Sequence, residues 1–271
     1  MKLAVRIAKT DAWDNAYVVF RGFEASIRKA KELGYDGVEL ALSQSSEIDV
    51  ARIEKLLQQN NLEISCLTTG QVFSKHHLYL TNPDPILRQQ AIDMFYDLID
   101  VAERLGTMIN MGRTRGFYSN NQTPEQAEAL FIDALSYIVD KASKKHVPVI
   151  VEPLNRYETN FINTAQECAN LLRWLPPEYV GIMLDLFHMN LEEARMGETF
   201  IQFAGQIKYI QMADSNKLAP GWGHIDFADV FNGLREARYD GWCGVEVLPK
   251  PSADAAAAQA IQFLRPYIAG K

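Results

Sequence analysis

A chain of 271 residues that is 48% hydrophobic and 23% charged has the composition of a globular protein able to bury a large core. A net charge of −7 with no cluster of Lys and Arg argues against nucleic-acid or anionic-membrane partners, since such surfaces are held by concentrated positive charge. No stretch approaches about 18 uninterrupted apolar residues, and the opening MKLAVRIAKTDAW turns polar after one short apolar run. Neither a signal peptide nor a membrane anchor is expected, and the chain reads as cytoplasmic. The cysteines Cys66, Cys168 and Cys243 are odd in number and far apart, which fits small buried residues better than a disulfide framework or a zinc knuckle.

In chain order, short apolar runs with strand character occur at 3–8, 37–42, 63–68, 107–111, 147–152, 180–185, 208–213 and 243–248. Segments of helical period separate and follow them, at 22–33, 47–59, 86–105, 123–145, 164–174, 189–203, 227–238 and 253–268. In the fourth of these, Ala127, Leu130, Phe131, Ala134, Leu135, Ile138 and Val139 keep the three-and-four spacing of one helical face. Helix boundaries are marked by Thr123 before Pro124 and Glu125, by Thr164, and by Gly34 after Lys31 and Glu32. Eight β/α units predict a closed parallel (β/α)8 barrel, the TIM barrel, with helices outside and one domain over 1–271. The alternative, an open doubly wound sheet, normally carries a glycine-rich phosphate loop after its first strand, and neither GxGxxG nor GxxxxGKS/T occurs.

In such a barrel the chemistry sits at the C-terminal ends of the strands. Four late strands each bring a polar residue there: Glu152 ends VPVIVE, Asp185 ends VGIMLD, Gln211 lies in KYIQMA and Glu246 in CGVEVL. A carboxylate removed from water needs a cation or donors to compensate it. Three carboxylates and an amide oxygen on one axis repel unless a divalent cation holds them, and so oxygen-rich a set suits Mg²⁺, Mn²⁺ or Co²⁺. Just past the strand ends, Glu158, His188 and Lys217 suit a polyhydroxylated ligand, although His188 also reads as a capping or packing residue. The stretch APGWGHIDF, with Trp222 and His224, is either an ordinary turn or a lid that lays an aromatic ring over a sugar. Earlier loops hold Glu39, Thr69, Gln71, Phe73, His76, His77, Arg113 and Arg115. Taken singly, His77 and Arg115 read as solvated loop residues; together, the two arginines of GRTRG suit a substrate carboxylate or phosphate.

The segments VEPLNRYETNFINT, LDLFHMNLEE, ADSNKLAPGWGHIDF and VEVLP resemble the sugar isomerase and epimerase branch of the xylose-isomerase-like barrel superfamily. The likeness is nearest to ketose 3-epimerases and 5-keto-L-gluconate epimerases, and the TGQ at 69–71 and GRTRG at 112–116 also fit. The resemblance implies a Mn²⁺, Mg²⁺ or Co²⁺ ion on Glu152, Asp185, Gln211 and Glu246, with no organic cofactor. It makes Glu152 and Glu246 the acid and base, and Glu158, His188 and Lys217 substrate contacts; Gln71, Arg113 and Trp222 complete the candidate substrate set. Two positions depart from the pattern: epimerases of this kind carry histidine where Gln211 stands and arginine where Lys217 stands, and the glutamine matches hydroxypyruvate-isomerase-like relatives.

The expected reaction is inversion of a carbon beside the ketone of a ketose or keto-sugar acid, one glutamate removing the proton and the other returning it from the far face. Return to the neighbouring carbon would make an aldose–ketose isomerase, and loss of a β-hydroxyl an inosose dehydratase-like lyase. An abasic-site endonuclease shares the barrel, but its zinc cluster needs more than five histidines and its substrate opposes acidic charge. A non-catalytic sugar-binding barrel would bind without proton exchange. A small-molecule sugar or sugar acid is thus the expected partner, and homo-oligomerisation is left open.

Overall fold

Strands that are apolar on both faces must be covered on both, and parallel pairing with crossover helices achieves this. The computed structural model, which describes residues 1–12 and 17–269, follows that rule. Its elements are β1 (Lys2–Ala8), β2 (Phe20–Arg21), α1 (Phe23–Leu33), β3 (Gly37–Ala41), α2 (Val50–Asn60), β4 (Glu63–Thr68), α3 (Gly70–His76), α4 (Pro85–Leu105) and β5 (Ile109–Met111). They continue with α5 (Pro124–Lys144), β6 (Val149–Val151), α6 (Ala165–Leu172), β7 (Val180–Asp185), α7 (Leu186–Glu192), α8 (Met196–Gln202), β8 (Ile207–Met212), α9 (Phe227–Glu236), β9 (Trp242–Val245) and α10 (Ala253–Ile268). All pairings are parallel in the order β1-β3-β4-β5-β6-β7-β8-β9, and β9 returns to β1 through Lys2↔Trp242 to Val5↔Val245, closing the barrel. Where β9 ends, β2 takes over the free edge of β1, pairing Ile7 with Phe20 and Ala8 with Arg21.

The helix-start signals act as read. Thr123 and Thr164 each accept from the backbone three residues on, while Gln126 and Glu167 reach back, giving two reciprocal capping boxes. Three features differ from the sequence reading. The stretch 70–76, which the sequence reads as loop, is the helix α3, a seven-residue GQVFSKH too short and mixed to show a helical stripe. The segment 189–203 is two helices, because Glu193 turns away to accept from Ala165 N at 2.8 Å and from the Thr199 hydroxyl. The two-residue strand β2 is too short to carry a period.

The main apolar core lies between barrel and helices, whereas Cys66, Ile150, Met183 and Tyr209 form a separate cluster, with Met108 and Trp242 against it. Period-two alternation then decides the site: two residues beyond Ile150, Met183 and Tyr209 come Glu152, Asp185 and Gln211, on the same inward face and nearer the C-terminal end. The three cysteines are buried and free. Replacing Thr123 by alanine is expected to lower stability by about 1 kcal/mol through loss of the cap, measured as a fall in urea midpoint with an unchanged slope.

Candidate active site

The C-terminal mouth of the barrel opens into a cleft, continuous with solvent, whose lining includes Arg6, Asn110, Glu152, Glu158, His188 and Glu246. Glu39, Glu152, Asp185, Gln211 and Glu246 are all at least 94% buried, and so are Arg6 and Lys217. Asp185 ends β7 and caps α7, accepting from Phe187 N at 2.8 Å, so its second oxygen, Oδ2, is left for the cavity. That oxygen accepts from the Lys217 ammonium, which also lies 2.5 Å from Glu246 Oε2. Arg6 binds the other oxygen of Glu246 and places Nε 3.0 Å from Glu39 Oε1.

Glu152 accepts from Asn110 Nδ2 at 3.1 Å, and a Cβ on Gly112 would lie 2.9 Å from its Oε2, so the glycine leaves the room this carboxylate occupies. Burial, with Asp185 nearby, pushes the Glu152 carboxyl up to about 7. Burial likewise raises Glu39 against the pull of Arg6. His188 is driven down to about 3 by desolvation and is therefore neutral. Its tautomer follows from its neighbours. Tyr157 N donates to Asn155 Oδ1, so the Asn155 amide NH₂ faces His188 Nδ1 at 2.7 Å; Nδ1 is the acceptor and the hydrogen is on Nε2. Nε2 lies 3.9 Å from an oxygen of Glu152 and 3.9 Å from one of Asp185. His188 is thus a hydrogen-bond donor at the cavity floor rather than a capping residue.

Lys217 reaches the site because of the loop after β8. Asp214 accepts from Ser215 N, Gly221 N and Ile225 N at 2.8, 2.8 and 3.1 Å, and this wraps the loop around one carboxylate. Lys217 itself takes a left-handed φ of 59° with its ammonium 5.1 Å from the Tyr17 ring and 5.4 Å from that of Phe187. In sequence the aspartate of ADSNK gives no sign that it organises a loop.

The structure gathers the residues expected from sequence unequally. Glu152, Asp185, Gln211, Glu246, His188 and Lys217 converge, and Gln71, Arg113 and Glu158 line the cavity wall. Arg113 stacks its guanidinium 5.0 Å over Phe73 and has no carboxylate partner among the described residues. Trp222 does not line this cavity; it packs partly buried against the core. Arg115, read as solvated or as an anion-binding partner of Arg113, is neither. It is fully buried and donates to the carbonyls of Gly112, Phe161 and Ile162, a strut between two loops. Glu39, read as a loop residue, belongs to β3. Arg6 and Asn110 are not singled out by the sequence reading, and Asn155 stands there only as part of the polar cluster after the 147–151 run; a charged residue amid an apolar strand run is the available signal for Arg6.

A closed parallel barrel with a carboxylate-lined cavity at the C-terminal strand ends has the architecture of a barrel enzyme. The chain belongs to the family of xylose isomerase-like TIM barrels, whose pattern it matches over residues 27–267. L-ribulose 3-epimerase of Methylomonas sp. (strain DH-1) is 30% identical over 225 residues, 81% of this chain and 76% of that protein. Hydroxypyruvate isomerase of Escherichia coli (strain K12) is 24% identical over 253 residues, 90% of this chain and 93% of its own. In fold, the D-allulose 3-epimerase from Methylomonas sp. superposes with a TM-score of 0.82 at 24% identity over 98% of each chain.

The contrast between the two arginines is testable. Arg115→Met should destabilise the protein by about 3 kcal/mol, because four buried side-chain hydrogen bonds are lost and, among the described residues, the Phe161 carbonyl is left without a donor, while those of Gly112 and Ile162 keep a backbone N–H; Arg113→Met should stay within about 1 kcal/mol of the parent. Equilibrium urea unfolding of both variants checks this.

Proposed function

We propose that this isomerase is a divalent-metal-dependent epimerase of a ketose or keto-sugar acid. The observation that carries the reading is the pairing of Glu152 and Glu246, buried carboxylates from strand ends three places apart in the ring that both line one cavity.

The residues present fit a divalent cation. Four buried carboxyl groups, Glu39, Glu152, Asp185 and Glu246, meet two buried cations, Arg6 and Lys217; with all four ionised, four minus two leaves two negative charges, an excess that shows in the raised Glu39 and Glu152. In addition, the buried Oε1 of Gln211 has no hydrogen-bond partner among the described residues. Glu152, Asp185 and His188 offer atoms within 4.8 Å of one another, but the hydrogen on His188 Nε2 favours Glu152, Asp185, Gln211 and Glu246 as the ligands. An oxygen-only set of this kind favours Mn²⁺, Mg²⁺ or Co²⁺ over a structural zinc. When bound, the ion supplies Lewis-acid charge at the substrate carbonyl and so lowers the cost of removing the neighbouring C–H proton.

The chain's own groups do the rest. One of Glu152 and Glu246 takes the proton on a carboxylate oxygen while the other, protonated, returns one from the opposite face, inverting the centre. His188 Nε2–H donates to a substrate oxygen, and the Lys217 ammonium, once exchanged from the carboxylates, donates to another. Glu158 and Gln71 on the wall accept and donate to hydroxyls. Arg113, stacked on Phe73 and without a carboxylate partner among the described residues, suits the acidic end of a keto-sugar acid. Gln211 and the likeness to hydroxypyruvate isomerase favour one second reading, aldose–ketose isomerisation, in which the proton returns to the adjacent carbon.

A panel of ketoses and keto acids incubated in D₂O with enzyme and Mn²⁺, followed by NMR, tests both readings: loss of one C–H signal with appearance of the epimer supports the first, and an aldose product the second. No exchange with any of them would overturn both. Glu152→Gln and Glu246→Gln should each retain ion and substrate but lose turnover by about two to four orders of magnitude. With opposite epimers as substrates, the two variants should swap which one still exchanges the substrate proton. Asp185→Ala should lose stoichiometric metal by mass spectrometry, since a charged ligand disappears.

A further inference from the structure

We infer that Glu39 is a positioning residue that fixes the side-chain amide of Gln211 so that its oxygen, not its nitrogen, faces the ion site. The inference rests on the metal-site reading above and concerns a residue that does not itself reach the cavity lining.

A glutamine can present either end of its amide, and the two ends have opposite effects on a cation. Here the choice is forced from behind. Glu39 Oε1 forms a buried ion pair with the Arg6 guanidinium, 3.0 Å from Nε, whose own hydrogen goes to Thr68 Oγ1 at 3.2 Å; as a carboxylate paired with a cation, Glu39 can only accept. Gln211 therefore turns its Nε2 to the same oxygen, at 2.9 Å, and its Oε1 away from it, where that atom is buried and without a partner among the described residues. The second oxygen of Glu39 is 2.8 Å from the Tyr209 hydroxyl, which is in turn 2.8 Å from Ser65 Oγ. The carboxyl group is thus held at both ends.

The surrounding backbone is shaped for this arrangement. Tyr209 and Gln211 stand two apart on β8, and Gly244 of β9 is paired in register with Gln211. A Cβ at Gly244 would come within 2.4 Å of both Glu39 Oε2 and the Tyr209 oxygen, so the missing side chain is what admits the pair. Glu39 also holds Arg6, whose guanidinium continues to Glu246, so one buried carboxyl group orients two of the four residues assigned to the ion. A bare packing role for Glu39 would need neither the acceptor nor the gap opposite.

The inference predicts a defined failure. With the carboxylate removed, the positive charge of the Arg6 guanidinium is left facing Gln211 and attracts its oxygen, the amide turns over, and an N–H faces the ion site. Glu39→Met should therefore weaken Mn²⁺ binding, measured by calorimetry, by about tenfold to a hundredfold. Adding Gln211→Glu to that variant restores a group with two equivalent oxygens and the same total charge; affinity should return to within about threefold of the parent. An unchanged affinity in the single variant, or no recovery in the double, overturns the inference. Circular dichroism and thermal melting establish that each variant is folded. Neutron diffraction from deuterium-exchanged crystals of the unaltered protein needs no variant: deuterons on the Gln211 atom facing Glu39 support the inference, and an oxygen there overturns it. If the unaltered protein binds no Mn²⁺ at all, the ion site itself fails, a result distinct from either outcome above.

Discussion

Four carboxyl groups crowded into the mouth of one barrel repel one another, and their surroundings contain that repulsion. Each lies on or just past a different strand, so none can retreat without disturbing the sheet. Arg6 and Lys217 neutralise part of the charge, and the donors Asn110, Tyr209, Gln211 and the backbone of Phe187 stabilise more of it. In a low-dielectric pocket an excess of carboxylates over cations is costly, which favours either protonation of a carboxyl group or the divalent cation proposed above. The raised Glu152 carboxyl and the neutral His188 are consequences of the same desolvation.

The elements outside the barrel serve to aim side chains inward. Asp214 folds the loop after β8 so that Lys217 can reach back between Asp185 and Glu246. Arg115 ties the turn after β5 to the loop after β6 and thereby holds the wall that carries Arg113 beside the one that carries Glu158. Asn155, fixed by the Tyr157 amide, sets the tautomer of His188. Asp214, Arg115 and Asn155 are each anchored to backbone atoms, which are more rigid than side chains. A site whose groups must be held close to a productive geometry benefits from such anchors.

Gln211 and Lys217, the two departures from the epimerase pattern, belong to one charged network: Gln211 donates to Glu39, Glu39 pairs with Arg6, and Arg6 and Lys217 share Glu246. An amide oxygen is a harder donor than an imidazole nitrogen, and it must be oriented, which an imidazole ring facing a carboxylate achieves differently. Lysine concentrates its charge on one atom, and here that atom bridges two carboxylates; a guanidinium would spread the charge over a planar fork.

The sequence by itself determined the barrel and its polar mouth. Eight apolar runs separated by helical periods admit few other topologies, and period-two alternation carries Glu152, Asp185 and Gln211 onto the inward face beyond an apolar plug. Both signals are local, so they survive in one dimension. Partnership between distant residues does not. Only the tertiary structure decided that Glu39 reaches Gln211, 172 positions away, that Arg115 serves carbonyls 46 and 47 positions on, and that Trp222 packs against the core rather than the cavity. Arg113 and Arg115 look alike in GRTRG, yet one turn of the chain sends one to the cavity and the other inside. The direction of a side chain in an irregular loop depends on the backbone path, and that path is set by packing against elements far away in the chain.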